Sequence, residues 1–219
     1  MNKISVAKTL SLMKQHTKDF VVPSVSEIAE ITKDPFQVLI SCIISLRTKD
    51  AVTIQASKRL FAVADTVQKM THLSEQEIAR LIYPAGFYKT KAKNIKKICG
   101  LLLAEHRGKV PSAPDDLMKL PGVGRKTAAI TMVYGHASKS HIPVDVHVHV
   151  IANRLGLVRT TKPEETEDAL KNIIPRRYWR DINNLFVQFG QNICVTVSPY
   201  CGRCTLRPYC PRVGVTRSR

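Results

Sequence analysis

Four cysteines stand within 17 residues of one another: Cys194, Cys201, Cys204 and Cys210, in the spacing C-x6-C-x2-C-x5-C. Thiols packed this densely in one short loop suit a metal centre better than disulfides in a reducing compartment. Structural zinc usually draws two separated pairs of ligands. Here only one pair is C-x2-C and a single loop wraps the whole set. A [4Fe–4S] cubane, whose four corners each take one thiolate, fits that spacing better, with zinc as the alternative. No acidic residue lies between Cys194 and Arg219, whereas Arg203, Arg207, Arg212, Arg217 and Arg219 do. Those arginines can offset thiolate charge or face a phosphate backbone. Cys42 and Cys99 sit singly in apolar helical patterns.

The second chemical segment is Leu120-Pro121-Gly122-Val123-Gly124-Arg125-Lys126-Thr127-Ala128. Gly122 and Gly124 make a tight hairpin in which missing Cβ atoms let the main chain approach a bulky partner. The segment feeds a helix expected over Arg125–Tyr134, whose first amides carry positive partial charge and suit a phosphate. A dinucleotide fingerprint is excluded because no strand precedes the hairpin and no third glycine follows. A Walker motif is excluded for lack of G-x4-G-K-[ST]. A helix-hairpin-helix that grips a nucleic-acid backbone without reading sequence remains.

The elements that must position these groups read as helices almost throughout the 219 residues. Val6, Leu10 and Met13 share one helical face. Asp34–Pro35 is a cap followed by proline in the first turn, ahead of a buried helix from Phe36 to Leu46. Ser74 with Glu77, and Thr161 with Glu164, have capping-box spacing. Lys89–Glu105 carries Ile95, Ile98 and Leu102 on one stripe, and Trp179–Cys194 carries Ile182, Leu185, Phe186 and Phe189. The pattern breaks near Ser138–Pro143. One domain is therefore expected at residues 23–137, the other from residues 1–22 and 138–219.

Charge restricts the partners. Lys and Arg exceed Asp and Glu by 17, a surplus that calls for a polyanion. Between Gly86 and Lys109 stand Lys89, Lys91, Lys93, Lys96, Lys97, Arg107 and Lys109 against Glu105 alone. They are expected to form a phosphate-facing surface with salt-sensitive binding. No apolar stretch reaches the roughly 20 residues of a membrane span, so no membrane partner is expected. The lysine-dotted N-terminus lacks a signal-peptide core, which points to an intracellular protein.

Taken together, LPGVGRKTA, the aspartate of Val144-Asp145-Val146-His147-Val148 and the cysteine spacing resemble, in that order, the endonuclease III family of DNA glycosylases. The likeness runs from about Pro35 to Cys210. It implies an all-α fold of two domains: a six-helix barrel carrying the hairpin, and a discontinuous iron–sulfur cluster domain. It also implies a monomeric, DNA-associated enzyme acting on double-stranded DNA that contains damaged bases or abasic sites. Oxidised pyrimidines would be excised and the strand cleaved 3′ to the abasic sugar. A stacked base must be flipped out before its glycosidic bond can be attacked. Lys126 is the candidate nucleophile. An amine attacks only when neutral, and a helix start, Arg125 and partial burial each disfavour the ammonium. The Schiff base that follows would allow β-elimination. Asp145 is the candidate carboxylate for oxocarbenium-like charge and proton transfer, besides capping the helix Val146–Arg154.

The resemblance extends to two loops. In Ser45-Leu46-Arg47-Thr48-Lys49-Asp50, Arg47 stands where the family has the glutamine that fills the gap left by the flipped base. In Gly86-Phe87-Tyr88, Phe87 stands at the apolar wedge position, where an aromatic could stack between bases. With Gly122, Val123, Gly124 and Arg125 these complete the expected DNA contacts. The chain departs from the pattern at Val146 and Val150, where threonine and arginine are usual. His147 and His149 are expected to pack rather than react. Two other readings are a mismatch-specific glycosylase, against which Lys126 argues, and a non-catalytic DNA-binding module with a structural cluster. The adenine-removing type carries a long C-terminal recognition domain, whereas this chain has nine residues after Cys210.

Overall fold

The computed structural model describes residues 4–20 and 22–219, and among them every regular element is a helix. In chain order these are α1 (Val6–Thr17), α2 (Ser24–Thr32), α3 (Pro35–Ser45), α4 (Asp50–Val63), α5 (Val67–His72) and α6 (Glu75–Ile82). They continue with α7 (Tyr88–His106), α8 (Pro114–Met118), α9 (Arg125–Ile130), α10 (Val146–Arg154), α11 (Pro163–Ile173) and α12 (Trp179–Asn192). A π-helical turn, Thr131–Gly135, extends α9. The helices divide into two compact units: Ser24–Ser138, and a second that joins the segment ending at Pro23 to Lys139–Arg219.

The continuous unit is built around α3. Phe36, Val38, Leu39, Ile40, Cys42, Ile43 and Ile44 are all buried, and a helix apolar on every side has a stable place only in the middle of a core. It packs against α2, α4, α7 and α9. Asp34 caps it, its carboxylate accepting the Phe36 N–H at 2.9 Å, and Pro35 fills the first turn. The helix stops at Ser45, one residue short of the expected Leu46, which is exposed. Ile95, Ile98 and Leu102 of α7 face the same core with no exposed surface. Each such side chain contributes about 1.5–3 kcal/mol. Ser74 and Glu77 form the capping box of α6 reciprocally.

In the other unit, Leu10 and Met13 of α1, Val148 and Ile151 of α10, and Ile182, Phe186 and Phe189 of α12 form the core. The capping box at α11 lies one residue later than the sequence suggests: the Glu165 carboxylate, not that of Glu164, accepts from the N–H groups of Thr161 and Lys162. Pro163 sets the register, because it takes the first helical position and moves the third to Glu165. Helix α12 ends at Asn192, so Cys194 lies just beyond it. Helices α10 and α12 meet at Gly190. A Cβ there would lie 2.5 Å from Nδ1 of His147, so His147 packs on bare backbone. His149 is tied by Nδ1 to the Thr166 hydroxyl at 2.7 Å. Both histidines thus make packing or hydrogen-bond contacts within this unit.

Replacing Gly190 by alanine forces α10 and α12 apart. The expected cost is about 1–3 kcal/mol, read as a fall of about 3–10 °C in the thermal midpoint. Amide exchange in Ser24–Ser138 should be unchanged if the strain stays in the other unit.

Candidate active site and cysteine centre

Leu120-Pro121-Gly122-Val123-Gly124 turns between α8 and α9. Gly122 holds φ 78°, a left-handed conformation that favours glycine. The Val123 N–H bonds the Leu120 carbonyl at 3.1 Å, and the Val123 side chain is buried as an anchor. Gly122, Gly124, Arg125 and Lys126 are exposed. Gly124 caps α9 with no side-chain bond and has nothing within 4 Å of where a Cβ would stand. The open space there faces outward. Behind Lys126 the helix is rooted by buried Thr127, Ala128 and Ala129. Lys126 is exposed rather than partly buried. Its charge reaches Cys42, whose thiol burial pushes up to about 12 while the lysine pulls the other way.

Asp145 belongs to the other unit, where it is buried at the N-cap of α10 and accepts the Val148 N–H at 2.9 Å. The segment leading to it is buried and tied to α12. Ile142, Pro143 and Val144 are buried, and Asn183 of α12 donates to the Pro143 carbonyl at 2.9 Å. Val146, where the family has threonine, is exposed.

The four clustered cysteines are half-buried and free, and all line one cavity with Ile151, Leu155, Phe189 and Leu206. Among the described residues no three ligand side chains gather tightly enough for a single metal ion. A cubane takes one thiolate at each of its four corners, and four cysteines lining one cavity match that donor set. Burial holds Cys194 and Cys210 above the usual thiol range and Cys204 at about 11. Uptake of a metal group must therefore displace protons.

Arg154, which the sequence reading passed over, organises this loop. Buried in the last turn of α10, its guanidinium donates to the carbonyls of Val195 at 2.8 Å and Thr196 at 2.6 Å, and to Sγ of Cys194 at 3.4 Å. It stands one helical turn after Val150, the position where the family carries arginine. The available signal was a single arginine following Ile151 and Ala152 in an apolar helix. Of the loop arginines, Arg203 and Arg219 lie over the Tyr200 ring at 4.1 and 3.9 Å.

In the continuous unit Arg47 and Phe87 come together. The guanidinium lies 5.6 Å from the Phe87 ring centroid, and both residues are exposed with positive φ, 52° and 56°. Left-handed backbone costs about 1–2 kcal/mol per residue, whereas an exposed cation–π pair returns about 0.5–1 kcal/mol. Their attraction therefore cannot by itself hold them there. The expected phosphate-facing surface on α7 needs correction at two of its lysines. Lys91 is buried, and Lys96 is half-buried with its ammonium on the carbonyls of Thr71 and Leu73. Lys89, Lys93, Lys97, Arg107 and Lys109 are exposed.

Comparison with known proteins gives consistent relatives. The model of the HhH-GPD superfamily of base excision DNA repair proteins matches residues 40–176. Endonuclease III of Thermotoga maritima is 45% identical over 177 residues, covering 81% of this chain and 83% of that one. Endonuclease III-like protein 1 of Mus musculus is 42% identical over 178 residues, which is 80% of this chain and 59% of the mouse protein. Among solved structures, a trapped endonuclease III–DNA covalent intermediate superposes with a TM-score of 0.82 at 32% identity, covering 94% of both chains. A thermostable thymine-DNA glycosylase shares the fold with a TM-score of 0.74 at 21% identity. Among the described residues no helix is long and apolar enough to cross a membrane.

Replacing Arg154 with methionine leaves the Val195 and Thr196 carbonyls without their donor. It should cost about 1–3 kcal/mol and speed proteolysis within residues 194–204. With a cubane on the four cysteines the protein should absorb broadly in the visible and hold about four iron atoms per chain, and Cys201→Ser should abolish that absorbance. A colourless wild-type protein holding one zinc would overturn the cubane.

Proposed function

The chain belongs to the HhH-GPD superfamily of base excision DNA repair proteins, and from that premise we propose that Lys126 is the nucleophile and Asp145 the assisting carboxylate of its chemistry. It is a DNA glycosylase and abasic-site lyase of the endonuclease III kind, and it binds DNA. The observation that carries the assignment is the placement of Lys126, an exposed amine in the first turn of α9 directly after an open glycine hairpin. The hairpin amides and the exposed lysines of α7 would hold phosphates, an attraction independent of sequence.

The proposed reaction begins with a damaged pyrimidine flipped from a duplex. The neutral Nζ of Lys126 attacks C1′ and the glycosidic bond breaks, the electron pair leaving with the base, which takes up a proton. Asp145, fixed by the Val148 N–H, stabilises positive charge on the sugar as the base departs. The sugar ring opens to an iminium at Lys126. Loss of a C2′ proton then expels the 3′ phosphate by β-elimination, and hydrolysis of the imine frees the lysine. Water in place of the amine would leave the strand intact.

Cys194, Cys201, Cys204 and Cys210 would hold a [4Fe–4S] cluster, which supplies four metal–thiolate bonds that order the loop. Oxidised pyrimidines are the proposed lesions and the monomer the proposed acting form.

Borohydride reduction in the presence of abasic duplex should give a covalent adduct that Lys126→Ala abolishes. An adduct persisting at full level would remove Lys126 from its role. Asp145→Asn should slow base release by a factor on the order of 100 or more while duplex affinity changes little. Equal losses of binding and turnover would count against the carboxylate.

A further inference from the structure

Lys91 is the most buried charged group of the continuous unit, with 5% of its surface exposed. An ammonium has three N–H donors and no acceptor, and here each donor has a partner. Nζ donates to the carbonyls of Ile44 and Leu46, both at 2.6 Å, and to the Thr48 hydroxyl at 2.7 Å. The first two are carbonyls at the C-terminal end of α3, which lack helical partners and favour a cation. The third is different. The Thr48 hydroxyl also accepts the N–H of Gly86 at 3.1 Å. One buried cation thus sits beneath the two loops that carry Arg47 and Phe87, 40 residues apart in sequence.

The fit between those loops is close. A Cβ on Gly86 would lie 2.5 Å from the carbonyl oxygen of Arg47. The left-handed backbone at Arg47 falls between two residues bonded to Lys91, and that at Phe87 follows Gly86 directly. The exposed pair is therefore set from below. We propose that Arg47 and Phe87 enter the duplex as one pre-assembled probe, and that Lys91 is the positioning residue that fixes its geometry. This rests on reading the chain as a base-flipping glycosylase. Pre-assembly removes the ordering of two side chains and two loops from the cost of insertion. Burial also draws the Lys91 ammonium down to about 8. A cation retained there at a cost in solvation is one held for its three hydrogen bonds.

The test uses the whole protein with Lys91→Met and Phe87→Ala, singly and together, and Arg47→Ala. Substrates are a duplex with one oxidised pyrimidine and a single-stranded abasic oligonucleotide, which has no stack to open. Lys91→Met should slow excision from the duplex by about tenfold or more, with borohydride trapping on the single strand held within about twofold. The double variant should be no slower than Phe87→Ala by more than about twofold, since residues acting as one unit are not additive. Thr48→Val, which keeps the cation and removes the shared hydroxyl, should show the same pattern in weaker form. It carries the test if Lys91→Met does not fold. Additive losses, equal losses on both substrates, or no loss in Lys91→Met while Phe87→Ala and Arg47→Ala are slow would each overturn the role of Lys91. If neither Phe87→Ala nor Arg47→Ala slows duplex excision, the wedge reading itself fails. If the unaltered protein releases no base, the enzymatic reading fails.

Discussion

A reactive side chain must be held still without being walled off, and a helix start meets both demands. The first turn exposes one side while the next residues sink into a core. Lys126, the proposed nucleophile, follows this rule on α9, with Thr127, Ala128 and Ala129 buried directly behind it. Asp145, the proposed carboxylate, is held differently: it is itself buried at the start of α10, fixed by the Val148 amide, with Ile142, Pro143 and Val144 buried ahead of it and Val146 exposed after it. In each case the placement depends on apolar packing further along the helix. Loosening the core behind either residue would blur its aim before it changed its chemistry.

Basic residues in this chain serve two unlike purposes. Most are solvated and give the surface its attraction for a polyanion. Lys91, Lys96 and Arg154 turn inward and bond the carbonyls near helix ends: α3 for Lys91, α5 for Lys96 and the turn after α12 for Arg154. Those carbonyls are the groups that helix geometry leaves unpaired, and a cation is their natural partner. A lysine stem also buries well against apolar neighbours while its head finds oxygen.

How legible was this in the residues alone? Local signals that involve few partners were readable. Asp34 with Pro35, Ser74 with Glu77 and Asp145 at a helix start all appear as the spacing implies, because a cap needs only its own first turn. The Thr161 box slipped by one residue because Pro163 sets the register. The π turn at Thr131–Gly135 left no periodic trace. Lys91 and Arg154 were hidden for a different reason. A charged residue in a sequence counts as surface, and only tertiary structure shows that its acceptors lie on elements 45 and 41 residues away. Motif order made Lys126 and Asp145 stand out, whereas the pairing of Arg47 with Phe87 required two loops to meet.

The split of the chain has a consequence for how the molecule is made. All of Ser24–Ser138 has left the ribosome before the partners of α1 exist, since α12 and the cysteine loop come last. That unit can close around α3 while α1, with Leu10 and Met13 still bare, waits for nearly the whole length to be translated. The cysteines therefore arrive at a scaffold whose first half is already folded. Any metal the four cysteines take up would be loaded late, together with the docking of α1 on α12, and a nascent chain stalled before residue 179 would carry a completed Ser24–Ser138 unit while the buried face of α1 still lacked its partner.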